Sequence, residues 1–160
     1  MLASQRQPAT RKTQNPLVRE GNELVPNIAH VFTPDQHLYF FYEVYDPAKD
    51  KLPEAPPDAK EKAPPVKNPI HLLTSIVFFN GKVKAFETPL IEARQLNAQE
   101  RKAAVFQFDV PLAQLKPGLY TCQVNVIDDA GGTFVFPRLP ILVREKQAAP
   151  VNTASSSGSN

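Results

Sequence analysis

The sequence predicts an all-β protein, a single antiparallel sandwich of about seven strands with flexible tails and a proline-rich insertion, and three observations carry that expectation. Proline occupies 17 of 160 positions, and a proline inside a helix costs about 3 kcal/mol, which excludes an all-helical chain. Leu, Ile, Val and Phe fill 44 of the 160 positions, enough to bury a core. These residues recur at every second position in short runs bounded by Gly, Pro, Asn and Asp, the period of a half-buried strand. The length suits one domain on the usual scale of about 100–200 residues.

Residues 1–20 are polar, contain Pro8 and Pro16 and show no periodicity, so a flexible N-terminal tail or linker is expected. The sandwich is expected over residues 21–146. Its first strand is Leu24–Phe32 and its second His37–Asp46, with Leu38, Phe40, Tyr42 and Val44 on one face and Tyr39, Phe41, Glu43 and Tyr45 on the other. Between Pro47 and Pro69 seven prolines, five lysines and four acidic residues leave almost nothing for a core. Residues 47–69 therefore read as a disordered insertion with polyproline II character.

Leu72–Phe79 leads through Asn80-Gly81 into Lys82–Glu87, and both turn residues tolerate φ > 0, so a hairpin is predicted. Ile91–Lys102 reads as a loop with at most one turn of helix, too short to stand alone. Ala103–Val110 alternates again until Pro111 removes a ladder donor. Leu115-Lys116-Pro117-Gly118 suits a type II turn. Leu119–Asp128 places Tyr120, Cys122, Val124 and Val126 on its buried face, and Asp128-Asp129-Ala130-Gly131-Gly132 turns the chain. Thr133–Val143 closes the domain, with Pro137 and Pro140 marking a bulge or an edge. The serine-rich residues 147–160 are expected to be a second disordered tail.

Little in this pattern carries chemistry. A formal net charge of +2 falls far short of the concentrated positive charge of most nucleic-acid binders. There is no run of 18 or more apolar residues to span a bilayer. Arg6, Arg11, Lys12 and Arg19 precede no continuous apolar segment, so no signal peptide is expected in this chain. No Gly-x-Ser-x-Gly turn offers a nucleophile and no Gly-x-x-x-x-Gly-Lys loop a phosphate cradle. His30, His37 and His71 are scattered, without ligand spacing for a metal. Asp128 and Asp129 could offer oxygens to calcium, but hairpin turns demand the same residues. The single Cys122 lies on an apolar face, where a thiol behaves as a small hydrophobe. The expectation is a non-enzymatic protein without cofactor or metal.

The least ordinary feature is the second strand, because a sandwich strand should be polar on its solvent side. Tyr39, Phe41 and Tyr45 fall there instead. Either neighbouring loops or the first strand cover these rings or they stack across strands, or they form an aromatic patch that binds a protein partner, a neighbouring domain or a polysaccharide. The three rings are the candidate interaction surface.

Tyr120 stands two residues before Cys122 after a Pro-Gly turn, as in the tyrosine corner of immunoglobulin domains. An immunoglobulin-like or fibronectin-like sandwich is thus expected, without the disulfide or the core tryptophan. Longer segments carry a more specific likeness: Leu24-Val25-Pro26-Asn27-Ile28, Asp35-Gln36-His37-Leu38-Tyr39, Tyr42-Glu43-Val44-Tyr45-Asp46-Pro47, the run from Leu115 to Asp129, and Phe134-Val135-Phe136-Pro137-Arg138-Leu139-Pro140. Over roughly residues 15–144 the chain resembles the C-terminal β-sandwich region of bacterial von Willebrand factor type A-related secreted proteins. The type A domain and its Asp-x-Ser-x-Ser metal motif are absent, so no adhesion residue carries over. The resemblance implies an accessory domain of a larger extracytoplasmic protein, secreted or in the cell envelope, that acts by contact with a protein, or alternatively as a carbohydrate-binding module.

Overall fold

Twelve strands lie among the residues that the computed structural model describes, 1–9, 17–19, 21–51 and 69–146, and the long ones rest on period-two alternation of aromatic and β-branched residues with others. In chain order they are β1 (Leu2–Pro8), β2 (Val18–Arg19), β3 (Asn22–Pro26), β4 (Val31–Phe32), β5 (His37–Tyr45), β6 (Pro69–Asn80), β7 (Val83–Glu87), β8 (Ile91–Gln95), β9 (Ala103–Pro111), β10 (Gly118–Asp128), β11 (Thr133–Val135) and β12 (Arg138–Val143). One sheet has the order β2-β3-β1-β5-β9. The other has the order β4-β12-β10-β6-β7, with β11 added to β10 and β8 to β6. All pairings are antiparallel except β4 against β12, which is parallel. No helix among the described residues is long and apolar enough to cross a membrane.

The two sheets close on one another through their inward rows. Leu38, Phe40, Phe106, Phe108 and Val110 of the first sheet share a core with Leu72, Ile76, Phe78, Cys122, Val124 and Ile141 of the second. Phe40 meets Phe78 edge-on, with ring centroids 6.0 Å apart and planes at 89°. That arrangement places a positive ring edge on a negative ring face and adds about 0.5–1.5 kcal/mol to the burial of both side chains. Tyr42 reaches the opposite sheet, where its hydroxyl and that of Thr74 lie 2.5 Å apart, and Thr74 donates in turn to the Asn125 carbonyl at 2.6 Å. Burial pushes the Tyr42 phenol up to about 12.

Several expected boundaries move, each for a local reason. Residues 2–8 form β1, with Ala3 and the Gln5–Pro8 segment paired to β3, and Leu2 and Ala3 paired to β5, so this part of the expected N-terminal tail is sheet. The expected single strand Leu24–Phe32 is two. Pro26 ends β3, Asn27 bonds the His30 N–H and the Val31 carbonyl through its side chain, and His30 takes φ 53°, which carries the chain across to the second sheet. The Asn80-Gly81 hairpin forms one residue later than expected, with Asn80 opposite Val83 and Gly81 at φ 60° in the first loop position. Ile91–Gln95 is a strand rather than loop, since β6 is long enough to pair β8 along its first half and β7 along its second. Gly118 has φ 159° and opens β10, so Pro117-Gly118 does not make the type II turn. Thr133–Val143 breaks at Phe136-Pro137, where the Pro137 carbonyl accepts from the Val124 N–H at 2.9 Å. Of the expected insertion only its two ends are described, and there Asp50 N–H donates to the Pro69 carbonyl at 2.8 Å; residues 52–68 and the expected tail 147–160 lie outside the described residues.

Two polar devices pin the margins. The Tyr120 hydroxyl donates to the Lys116 carbonyl at 2.7 Å, the local bond of a tyrosine corner. Asn97 covers the outer margin of β9, its Nδ2 donating to the Val105 carbonyl at 2.9 Å and its Oδ1 accepting from the Val105 N–H at 2.7 Å.

Tyr120→Phe should lower stability by about 1 kcal/mol, the worth of one such bond, as a reduced denaturant midpoint with an unchanged slope. The Lys146 ammonium and the Thr33 hydroxyl both donate to Asp35 and hold its carboxyl at about 2, below the usual 3.8. Whatever stability the pair contributes is thus present above the unfolded value near 3.8 and fades as pH falls towards 2. Lys146→Ala should move the Asp35 titration back up towards 3.8, read by NMR of its carboxyl carbon.

Candidate interaction surface

The outer face of β5 is not the continuous aromatic patch that its sequence suggests. Phe41 is buried, 8% exposed, because β1 and β3 lengthen the sheet beside it. Ala3 and Leu24 come from those strands, Ala103 and Val105 from β9, and Ala98 from the segment after β8, and together they enclose the ring. The alanines at positions 3, 98 and 103 are themselves almost wholly buried in this cluster. Tyr39 is half-buried against this cluster and carries the His37 ring stacked at 6.1 Å. Burial, then the Asp109 carboxylate, raises its phenol above the usual value. Tyr45 alone is open, at 60% exposure. Its hydroxyl donates to Glu43, which also receives Arg101 at 2.7 Å. The candidate surface of Tyr39, Phe41 and Tyr45 is thereby reduced to Tyr45, the other two rings being drawn into a second small core.

The open apolar surface lies on the other side of Tyr45. The inward row of β5 runs on through Tyr42 and Val44, which are only partly buried. Val124 and Val126 of β10 face them, with Val135, Pro137 and Leu139 along the outer wall. The result is a groove between the sheets of about 550 Å³, with Tyr45, Glu43 and His30 at its rim. That volume is in the range of ligand and peptide sites. Beside it Phe134 and Phe136 stack at 5.3 Å, 66% and 45% exposed. The two stacked rings flank Val135, which lines the groove. The sequence signal for this patch is the unbroken apolar triplet Phe134-Val135-Phe136 before Pro137, which leaves no polar side to face water.

The remaining candidates have structural partners. Asp128 accepts from the Gly131 N–H at 3.0 Å and the Ala48 N–H at 2.8 Å, so its two oxygens shape the turn and hold the strand β5 exit. His71 lies between two carboxylates, Nε2 at 3.0 Å from Glu92 and Nδ1 at 2.8 Å from Asp129, joining β6 to β8 and to the turn after β10. Among the described residues no group of three or more His, Cys, Asp or Glu is placed to hold a metal ion. Cys122 is fully buried and burial pushes its thiol up to about 12, so it packs as core.

Comparison with protein families, with curated proteins and with solved structures finds no match for this chain.

The two rings should separate cleanly on substitution. Phe41→Ser should cost about 3 kcal/mol or more in urea unfolding, as expected for emptying a buried aromatic site. Tyr45→Ser should cost less than about 1 kcal/mol.

Proposed function

We propose that this chain is a non-enzymatic interaction module of immunoglobulin-like type that binds a partner protein through the groove between its sheets. One observation carries the reading: a cavity of about 550 Å³ with walls of Val124, Val126, Val135 and Leu139 opens beside the exposed rings of Tyr45, Phe134 and Phe136. Contiguous exposed apolar surface costs solubility unless something covers it, and aromatic rings supply large contact area with few rotors to freeze. The parallel β4–β12 pair and the Tyr120 corner support the immunoglobulin-like assignment. The sequence resemblance supports a role as the C-terminal accessory domain of a larger extracytoplasmic adhesion-type protein, with the partner either another protein or a neighbouring domain.

A carbohydrate-binding role is the second reading, favoured by the exposed Phe134–Phe136 stack, since sugar faces pack on aromatic rings.

A photo-crosslinking residue at Val135 should label a protein in source cells, and the same residue at Val83, equally exposed on β7, should not. Equal labelling from both positions would sink the groove as the contact. Quenching of tyrosine fluorescence by soluble polysaccharides, lost in Phe134→Ser/Phe136→Ser, would decide for the sugar.

A further inference from the structure

We infer that this chain pairs with a second copy of itself along β11, the two strands running antiparallel about a two-fold axis. The inference goes beyond the groove reading and does not rest on it. β11 belongs to the sheet that β1 does not join, and among the described residues it pairs with β10 alone, Val135 opposite Val126, Phe134 opposite Ile127 and Thr133 opposite Asp128. The directions of its backbone groups follow from β10. Val124 donates its N–H to the Pro137 carbonyl, so the even-numbered residues of β10 turn their backbone groups towards β11 and β12. The odd-numbered ones turn theirs towards β6, and Pro140, which has no N–H to give, accordingly stands opposite the odd-numbered Thr121. The same alternation holds on β6, where Ile76, opposite Val124, exchanges its bonds with Thr88 rather than with β10. The pair of Ile127 with Phe134 is therefore non-hydrogen-bonded, and the Phe134 N–H and C=O point away from β10, out of the margin of the sheet.

This margin lacks the guards that other edges of the molecule carry. β7 has Lys84 and Glu87, β8 has Glu92 and Arg94, and β12 has Pro140. On β9 the Asn97 carboxamide seals Val105. Between Thr133 and Val135 there is neither a charge nor a proline, and all three residues are exposed. An edge of this kind is a template for another strand.

The occupant follows from the symmetry and the charge of the same margin. Two-fold pairing lets the Phe134 N–H of each copy meet the Phe134 C=O of the other and sets the two Phe134 rings beside one another as cross-strand neighbours. The margin is acidic before β11, where the Asp129 side chain is 61% exposed, and basic after it, where Arg138 is exposed with its Nε held by Gln123. Antiparallel copies set the acidic end of each against the basic end of the other, whereas parallel ones would set like against like. Pairing uses up the edge of both copies, so the assembly closes at two. A three-residue strand makes a small contact, which places the dimer in the weak class of interfaces.

The test uses the whole chain. In sedimentation velocity from about 10 μM to about 1 mM, the span of weak association, the protein should pass from monomer to dimer and go no further. Amide hydrogen exchange at Phe134 should slow as the protein is concentrated. Phe134→Lys should leave a monomer over the whole span with its circular dichroism unchanged, and Val83→Lys, at an equally exposed position on β7, should still form the dimer. Arg138→Glu should weaken the dimer by roughly tenfold, because the two-fold axis doubles each lost attraction. A monomer at about 1 mM, or a dimer that survives Phe134→Lys, would overturn the pairing. Slow exchange at Phe134 that does not change with concentration would mean that the margin is covered within one chain, which rules out a second copy as its occupant. Growth beyond two copies would rule out the two-fold arrangement.

Discussion

Closure of the sandwich depends on the contact between the inward rows of its two sheets, and within it Phe40 of β5 and Phe78 of β6 meet edge-on. Both rings are almost wholly buried, at 2% and 0% exposure, so each gives up most of its water contact to the other sheet. The register of β5 against β9 follows from this. A slip of one residue would turn Leu38 and Phe40 outward and bring Tyr39 and Phe41 into a space shaped for others. Tyr42 and Thr74 add a polar joint between the same two strands, satisfied on both sides and so free of the penalty of a buried unpaired hydroxyl.

β5 is unusual because both of its faces have apolar work. Its inner row builds the main core and its outer row, through Phe41 and Tyr39, a second small one. The two demands are met along different lengths of the strand. β1 lies beside the first half, and Ala3 contributes to the cover over Phe41. Past Phe41 the inner row continues through Tyr42 and Val44, which are only partly buried and line the groove.

The strands with strict alternation were legible from residues alone. His37–Tyr45, Ala103–Pro111 and Gly118–Asp128 appear within one residue of their expected limits, with the expected inward side chains. The illegible parts are those where pairing decides against local pattern. β1 is polar along most of its length and is a strand because β3 and β5 supply partners for its backbone. β8 has one half-buried residue in five, Ala93, and exists because β6 has an edge to spare. The same limit applies to the surface. An outward Phe41 could be covered or open on sequence grounds, and the deciding side chains, Ala3 and Ala98, are distant in the chain and too small to attract notice. The groove is not legible in the sequence because its two walls, Val44 on one sheet and Val124, Val126 and Val135 on the other, meet only after the sheets have closed.

Asn97 marks where time would act on this molecule. Its carboxamide imitates a peptide group, one donor and one acceptor set against the N–H and C=O of Val105, and so serves as a one-residue substitute for a further strand on β9. Hydrolysis of that amide to aspartate would keep the acceptor and turn the donor into a second acceptor. The Val105 carbonyl would then face a carboxylate oxygen instead of an N–H. Chemical ageing at this one side chain would convert a sealed sheet margin into an open one, and an aged preparation would acquire a new edge from which sheets can grow between molecules.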